Sequence, residues 1–348
     1  MKTKDIRASV AENGLCYFDA LTSPVRVSGL PFKETNGNWN RLDDRLTDRY
    51  PDGLKMLTEC TSGAAVSFTT DSKRLAVRVD AIENHKGALP HMANNGSTGI
   101  DFYVGSGRGK KFAGVFHALT DANGHFEGTR QLYTEGMAEI TLYLPLYAGI
   151  KKLEIGLDED SSIGDPAPYT NGAVMFYGSS ITQGACASRP GLAYCNILGR
   201  RFDFEVIDFG FSGCAKGEEV IAEEIASLDL SAFVYDYDHN ADSAEYLEAT
   251  HKRFFEIIRE KHLDLPVIMV SKADRMYGLD ETLRRRDVIK KTYEDAHRAG
   301  DCNVYFVDGT AIYKGLGDEC TVDGAHPTDL GFYFMAEAIG SALEKVLK

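Results

Sequence analysis

Asp323 and His326 sit three residues apart in the run Asp323-Gly324-Ala325-His326-Pro327. A carboxylate placed so on one short loop can fix the tautomer of the imidazole and stabilise its protonated form. Such an aspartate can also cap a helix, but Pro327 and Thr328 already supply a helix start. A histidine base needs a nucleophile. Tyr177-Gly178-Ser179-Ser180-Ile181-Thr182-Gln183-Gly184 offers small serines beside glycine, a pattern that fits an exposed attacking hydroxyl or an ordinary helix cap. The glycines of Asp208-Phe209-Gly210-Phe211-Ser212-Gly213-Cys214 allow close backbone approach to a ligand, or form a tight turn. Asn240, after His239 in Tyr235-Asp236-Tyr237-Asp238-His239-Asn240, can donate an amide hydrogen to an oxyanion or close an Asx turn; His239 itself reads as incidental. Taken together these residues could carry out acyl transfer.

Other chemistries find less support. The nucleophile elbow GxSxG is missing, which disfavours an α/β-hydrolase. Neither GxGxxG nor GxxxxGK[ST] occurs, and Gly105-Ser106-Gly107-Arg108-Gly109-Lys110 reads as a basic glycine-rich turn. The seven cysteines include no CxxC pair, so buried reduced thiols are expected rather than disulfides or a zinc site. No metal and no cofactor is expected.

The elements that must position these residues show in the hydrophobic period. Apolar runs at 173–177, 205–209, 232–237, 267–270 and 304–307 fit strands buried on both faces. Between them, 218–228, 243–261 and 281–299 repeat apolar residues at helical spacing. Strands alternating with helices imply a five-stranded parallel sheet, with chemistry at the C-terminal strand ends, where the candidate residues fall. A last helix carries Met335, Ile339, Leu343 and Val346/Leu347 on one stripe. The first half instead alternates apolar and polar residues at 65–68, 75–79, 100–104 and 140–144 between turn residues, which predicts an antiparallel β-sandwich or jelly roll. Polar, proline-bearing residues 157–170 predict a linker, so the expected domains are 1–165 and 166–348.

With four such signals in order at strand ends, the sequence resembles the SGNH (GDSL-type) hydrolase superfamily. More narrowly it is similar to the branch with an N-terminal GxDLY domain. Gly99-Ile100-Asp101-Phe102-Tyr103 matches that signature with Phe for Leu, and residues 174–201, 209–213 and 323–332 match the hydrolase blocks. The resemblance implies a flavodoxin-like three-layer α/β/α catalytic domain. It also implies Ser180 as nucleophile, His326 as base oriented by Asp323, and an oxyanion hole from the Ser180 and Gly213 N–H groups and the Asn240 side chain. Where the family has Gly-Asp-Ser this chain has Gly178-Ser179-Ser180, which leaves Ser179 as a second candidate, and His239 stands where Pro is frequent. Asp101 and Tyr103 are expected to be structural rather than to line the cleft.

The resemblance further implies a carbohydrate acetylesterase, acting on acetylated manno- or xylo-oligosaccharides. Rival expectations are an esterase or thioesterase for lipid or aryl esters, and a non-catalytic carbohydrate-binding protein. Trp39, in the polar stretch Asn36-Gly37-Asn38-Trp39-Asn40-Arg41, is the candidate to stack on a pyranose ring. A formal net charge of -14 disfavours nucleic acid and anionic membranes as partners and suits a neutral substrate. The charged N-terminus lacks a signal-peptide core, and no run is long enough to span a bilayer, so a cytoplasmic location is expected.

Overall fold

The computed structural model describes residues 1–82, 90–117, 124–273 and 278–348. The first half folds into two antiparallel sheets. One has the order β1 (Val10–Glu12), β2 (Leu15–Asp19), β10 (Gly149–Asp158), β5 (Arg74–Ile82), β8 (His125–Gln131). The other runs β11 (Ile163–Gly164), β4 (Ala65–Thr70), β9 (Ala138–Tyr143), β6 (Ile100–Val104), β7 (Lys111–Phe116), with β3 (Arg26–Ser28) also beside β4. Period-2 patterning decides which face turns inward: along β5, Leu75, Val77, Val79 and Ala81 are buried while Arg78 and Asp80 are not. Phe18, Val77 and Leu153 from one sheet meet Phe68, Phe102 and Ile140 from the other in a shared core.

The second half is a parallel sheet in the order β13 (Glu205–Gly210), β12 (Ala173–Gly178), β14 (Ala232–Asp236), β15 (Val267–Val270), β16 (Val304–Val307). In sequence order of its strands this is 2-1-3-4-5, the doubly wound flavodoxin-like arrangement. On one face pack α6 (Glu219–Ile225), α7 (Ala244–Lys261) and α8 (Leu279–Arg298); on the other, α5 (Tyr194–Phe202) and α10 (Asp329–Leu343). Helix starts follow capping chemistry: Ser243 Oγ accepts from Tyr246 N–H at α7, and Thr328 Oγ1 accepts from Gly331 N–H at α10. Met335, Ile339 and Leu343 are buried as the stripe requires. No helix among the described residues is long and apolar enough to cross a membrane.

Two features depart from the expectations. The residues expected to link the halves are only in part irregular: β10 continues to Asp158, Ile163 and Gly164 pair with Thr70 and Thr69, and residues 165–170 carry no strand or helix. Asp158 is held there by Ser72, the Lys73 N–H and Arg74, so its polarity serves the end of a central strand rather than a free tether. The second departure is residues 32–60. They leave the sandwich as α1 (Lys33–Asn36), a 3-10 turn over Asp44–Arg49 and α2 (Asp52–Leu57), and cover one face of the parallel sheet. Phe32, Leu42, Tyr50, Leu54, Leu57 and Cys60 share a core with Met175, Ile207 and Phe209. The segment is fastened by Arg41, which is fully buried. Its Nη1 donates to Ser62 Oγ (3.0 Å), Asp208 O (2.8 Å) and Gly210 O (2.7 Å), and its Nη2 to Leu57 O (2.8 Å). Glu224 on α6 accepts from the Asp43 N–H and the Tyr50 hydroxyl of the same segment.

Candidate active site

Ser180 begins α4 (Ser180–Gln183), directly beyond the C-terminal end of β12. Gly178 makes the sharp turn possible, because a Cβ there would stand 2.0 Å from Thr182 Oγ1 and 2.3 Å from Asp236 O. Ser179 caps α4 by accepting the Ile181 N–H and is wholly buried, so the hydroxyl that faces the histidine is that of Ser180. Gly184, at φ +100°, ends this single turn.

His326 Nε2 lies 2.9 Å from Ser180 Oγ, and His326 Nδ1 lies 2.7 Å from Asp323 Oδ2. The loop holding the pair is closed by Val322 N–H donating to His326 O and Thr328 N–H donating to Cys320 O. Asp323 Oδ1 accepts the N–H groups of Ala325 (3.0 Å) and His326 (2.8 Å). Burial pushes the Asp323 carboxyl up, but the His326 ring and these two N–H donors outweigh it and hold it down at about 2. An ionised carboxylate on Nδ1 leaves Nε2 free to accept the serine proton, so the chain can raise the nucleophilicity of Ser180.

The turn after β13 approaches the same point. Phe211 N–H donates to Gly178 O (2.9 Å), and Gln183 Oε1 accepts the Ser212 N–H (2.9 Å). Gly213 follows at φ +68° with nothing within 4 Å of where a Cβ would lie, so its backbone faces open space. Asn240 Nδ2 donates one hydrogen to Phe211 O (2.9 Å), which orients the amide and leaves its second hydrogen for another acceptor. Ser180 follows β12 and Asn240 follows β14, on either side of the point where strand order reverses, where open α/β sheets bind ligands.

Trp39 does not belong to this site. It is 5% exposed and packs in the sandwich core, so it cannot offer its face to a sugar. The polar neighbours that suggested an exposed loop satisfy one another: the Asn38 and Asn40 amides both donate to Asp44, and Asn36 donates to Leu42 O, which leaves the indole to turn inward. Asp101 and Tyr103 join the halves. Asp101 accepts from Arg189 Nη1 (2.5 Å) and from Gly191 N–H, and Tyr103 Oη lies 2.6 Å from the same Arg189 nitrogen. A Cβ on Gly191 would stand 2.6 Å from Tyr103 Oη, so the junction needs glycine. Sequence reasoning did not reach Tyr147, whose hydroxyl donates to Ser180 O, nor Gln183, whose amide donates to Leu146 O. Both contacts cross between the halves.

Residues 171–347 match the GDSL-like lipase/acylhydrolase family, and residues 15–163 match the N-terminal domain of SGNH-hydrolase-type esterases. The chain belongs to the GDSL-like lipase/acylhydrolase family. The structure of a GDSL-like lipase from Bacteroides ovatus is 30% identical, with a TM-score of 0.85 over 96% of this chain and 99% of that one. A salicylyl-acyltransferase from a tetracycline biosynthetic pathway is 19% identical, with a TM-score of 0.79 over 96% and 98%. An acetyl xylan esterase from the rumen bacterium Butyrivibrio proteoclasticus shares the fold at 13% identity and a TM-score of 0.58 over 94% and 98%. A search of curated proteins found no match.

Proposed function

We propose that this SGNH hydrolase is a serine esterase that removes O-acetyl groups from carbohydrates, with acetylated manno- or xylo-oligosaccharides as substrates. The observation that carries the reading is the unbroken chain from Ser180 Oγ through His326 to Asp323, at 2.9 and 2.7 Å. In the proposed reaction His326 Nε2 takes the Ser180 proton as Oγ bonds to the ester carbonyl carbon. The negative charge moves to the carbonyl oxygen and is met by the N–H groups of Ser180 and Gly213 and the second Asn240 hydrogen. In a comparable oxyanion hole, losing one donor raises the barrier by roughly 3–4 kcal/mol. The tetrahedral adduct collapses, the sugar oxygen leaves with the proton from His326, and water activated by His326 releases acetate from Ser180. The chemistry is complete with these side chains and water.

The acidic chain, with its formal charge of -14, and a β-sandwich whose loop reaches the triad support a neutral, polar acyl carrier. The test is acetate release from acetylated manno- and xylo-oligosaccharides, beside p-nitrophenyl esters of increasing chain length, for wild type and Ser180→Ala. Deacetylation lost in the variant supports the proposal. Preference for long acyl chains would replace it with a lipid-type esterase, and activity retained by Ser180→Ala would remove Ser180 as nucleophile.

A further inference from the structure

The carboxylate of Asp323 has a second histidine. His91 Nε2 stands 3.2 Å from Asp323 Oδ2, the oxygen that already faces His326 Nδ1 at 2.7 Å. A carboxylate oxygen has two lone pairs and can serve both rings, while Oδ1 is occupied by the N–H groups of Ala325 and His326. The two imidazoles are 6.2 Å apart and inclined by 51°, so they meet through the carboxylate and not by stacking. His91 belongs to the first half of the chain and the triad to the second.

The turn that carries His91 is fixed on the hydrolase. Met92 packs against the core beneath α5 and α10. In the adjoining short helix α3 (Asn94–Ser97), Gly96 sits so close to the Ala187 carbonyl that a Cβ would stand 2.0 Å from it. Leu146 N–H and Tyr147 N–H donate to Gly96 O and Ser97 O, and Tyr147 in turn reaches Ser180 O. Asn95 Oδ1 lies 3.1 Å from His117 Nδ1. A side chain 39% exposed is thus aimed at the triad by a docked turn rather than by a free loop.

We propose that His91 is a positioning residue for the reaction: its Nε2–H donates to Asp323 Oδ2 and, with the two backbone donors on Oδ1, fixes the plane of the carboxylate that orients His326. The β-sandwich would then complete the active site rather than only support it. This rests on the serine-esterase reading above. The two are separated by measuring His91→Ala, His91→Gln and Ser180→Ala together on p-nitrophenyl acetate and on an acetylated xylo-oligosaccharide. EDTA is present throughout, because the ligand atoms of His91, Asp323 and His326 lie within 4.8 Å of one another and a divalent ion could bridge them. His91→Ala should lower kcat roughly tenfold on both substrates with KM unchanged. His91→Gln, which can place an amide donor on the same oxygen, should recover most of the loss. The inference is overturned if His91→Ala keeps wild-type kcat on p-nitrophenyl acetate, if only KM for the oligosaccharide changes, or if Gln is as impaired as Ala. Activity in Ser180→Ala would instead overturn the serine reading.

Discussion

Arg41 offers the sharpest test of how the first half supports the site. Its guanidinium makes four hydrogen bonds inside the protein, two of them to the carbonyls of Asp208 and Gly210 on the strand that leads to Gly213. Asp208 Oδ1 lies 3.9 Å away, at the limit of an ion pair. Burial pushes Asp208 up to about 6 against the pull of Arg41 and the Gly210 N–H, and burial also lowers Arg41. Desolvation therefore outweighs the attraction between the two charges, and the neutral-acceptor bonds carry the interaction. Arg41→Ala leaves three backbone carbonyls and a buried carboxylate without this partner. Removing one member of such a buried set costs about 3–5 kcal/mol, limited here because Asp208 can take up a proton. At roughly 2 °C per kcal/mol for a chain of this size, Tm should fall by about 6–10 °C. Arg41→Lys keeps the charge but cannot reach both sides of the fork, and should lose about half as much. The turn carrying Gly213 also loses its anchor, so kcat on p-nitrophenyl acetate should drop on the order of tenfold at 25 °C, where the variant is still folded. Thermal unfolding by circular dichroism and initial rates measure both effects. A variant whose Tm lies within about 2 °C of wild type, with unchanged kcat, would refute this account of Arg41.

The remaining predictions concern burial and pH. Burial raises Glu224 from its ordinary 4.5 to about 7, against the donors Tyr50 and Asp43 N–H. A folded pKa above the unfolded one gives stability that is present below pH about 4.5 and lost as pH rises through about 7. Glu224→Gln should therefore gain on wild type across that window, by about 3 kcal/mol at most, in urea melts at successive pH values; an unchanging difference would contradict it. Trp39 is the single tryptophan and is buried, so the native emission should be blue-shifted, shielded from acrylamide and insensitive to sugar ligands. A red-shifted emission quenched by oligosaccharide would return it to the substrate.

What the sequence made legible follows from local period. The apolar runs and helical repeats of the second half lie close to the observed strands and helices, because a strand covered on both faces and an amphipathic helix announce themselves within a few residues. The structure brings Ser180, His326 and Asp323 into contact, and each could be singled out because turn chemistry at strand ends is also local. Arg41 and His91 were not legible. Arg41 bonds to Asp208 and Gly210, and His91 stands beside Asp323, so their surroundings depend on residues far along the chain that no window includes. Trp39 misled for a related reason: its asparagine neighbours look like a solvated loop until Asp44 and Leu42 are seen to accept their hydrogen bonds. The helical pieces within 32–60 are short, and their apolar side chains complete a core made mostly by residues after 173.

That last arrangement bears on how the chain is made. During synthesis the sandwich can close once Gly164 has left the ribosome, since β11 is its final strand. Phe32, Leu42, Leu54 and Leu57 have by then long emerged, but the strands and helices that bury them, from Met175 to Val304, are still to come. A nascent chain halted between the halves would carry a formed β-domain with an apolar flank facing water, a surface open to chaperones or to self-association. Cutting the gene near residue 165 would reproduce that state permanently. It would also deprive the separated hydrolase of Arg41, of one wall of its core and of the histidine beside Asp323.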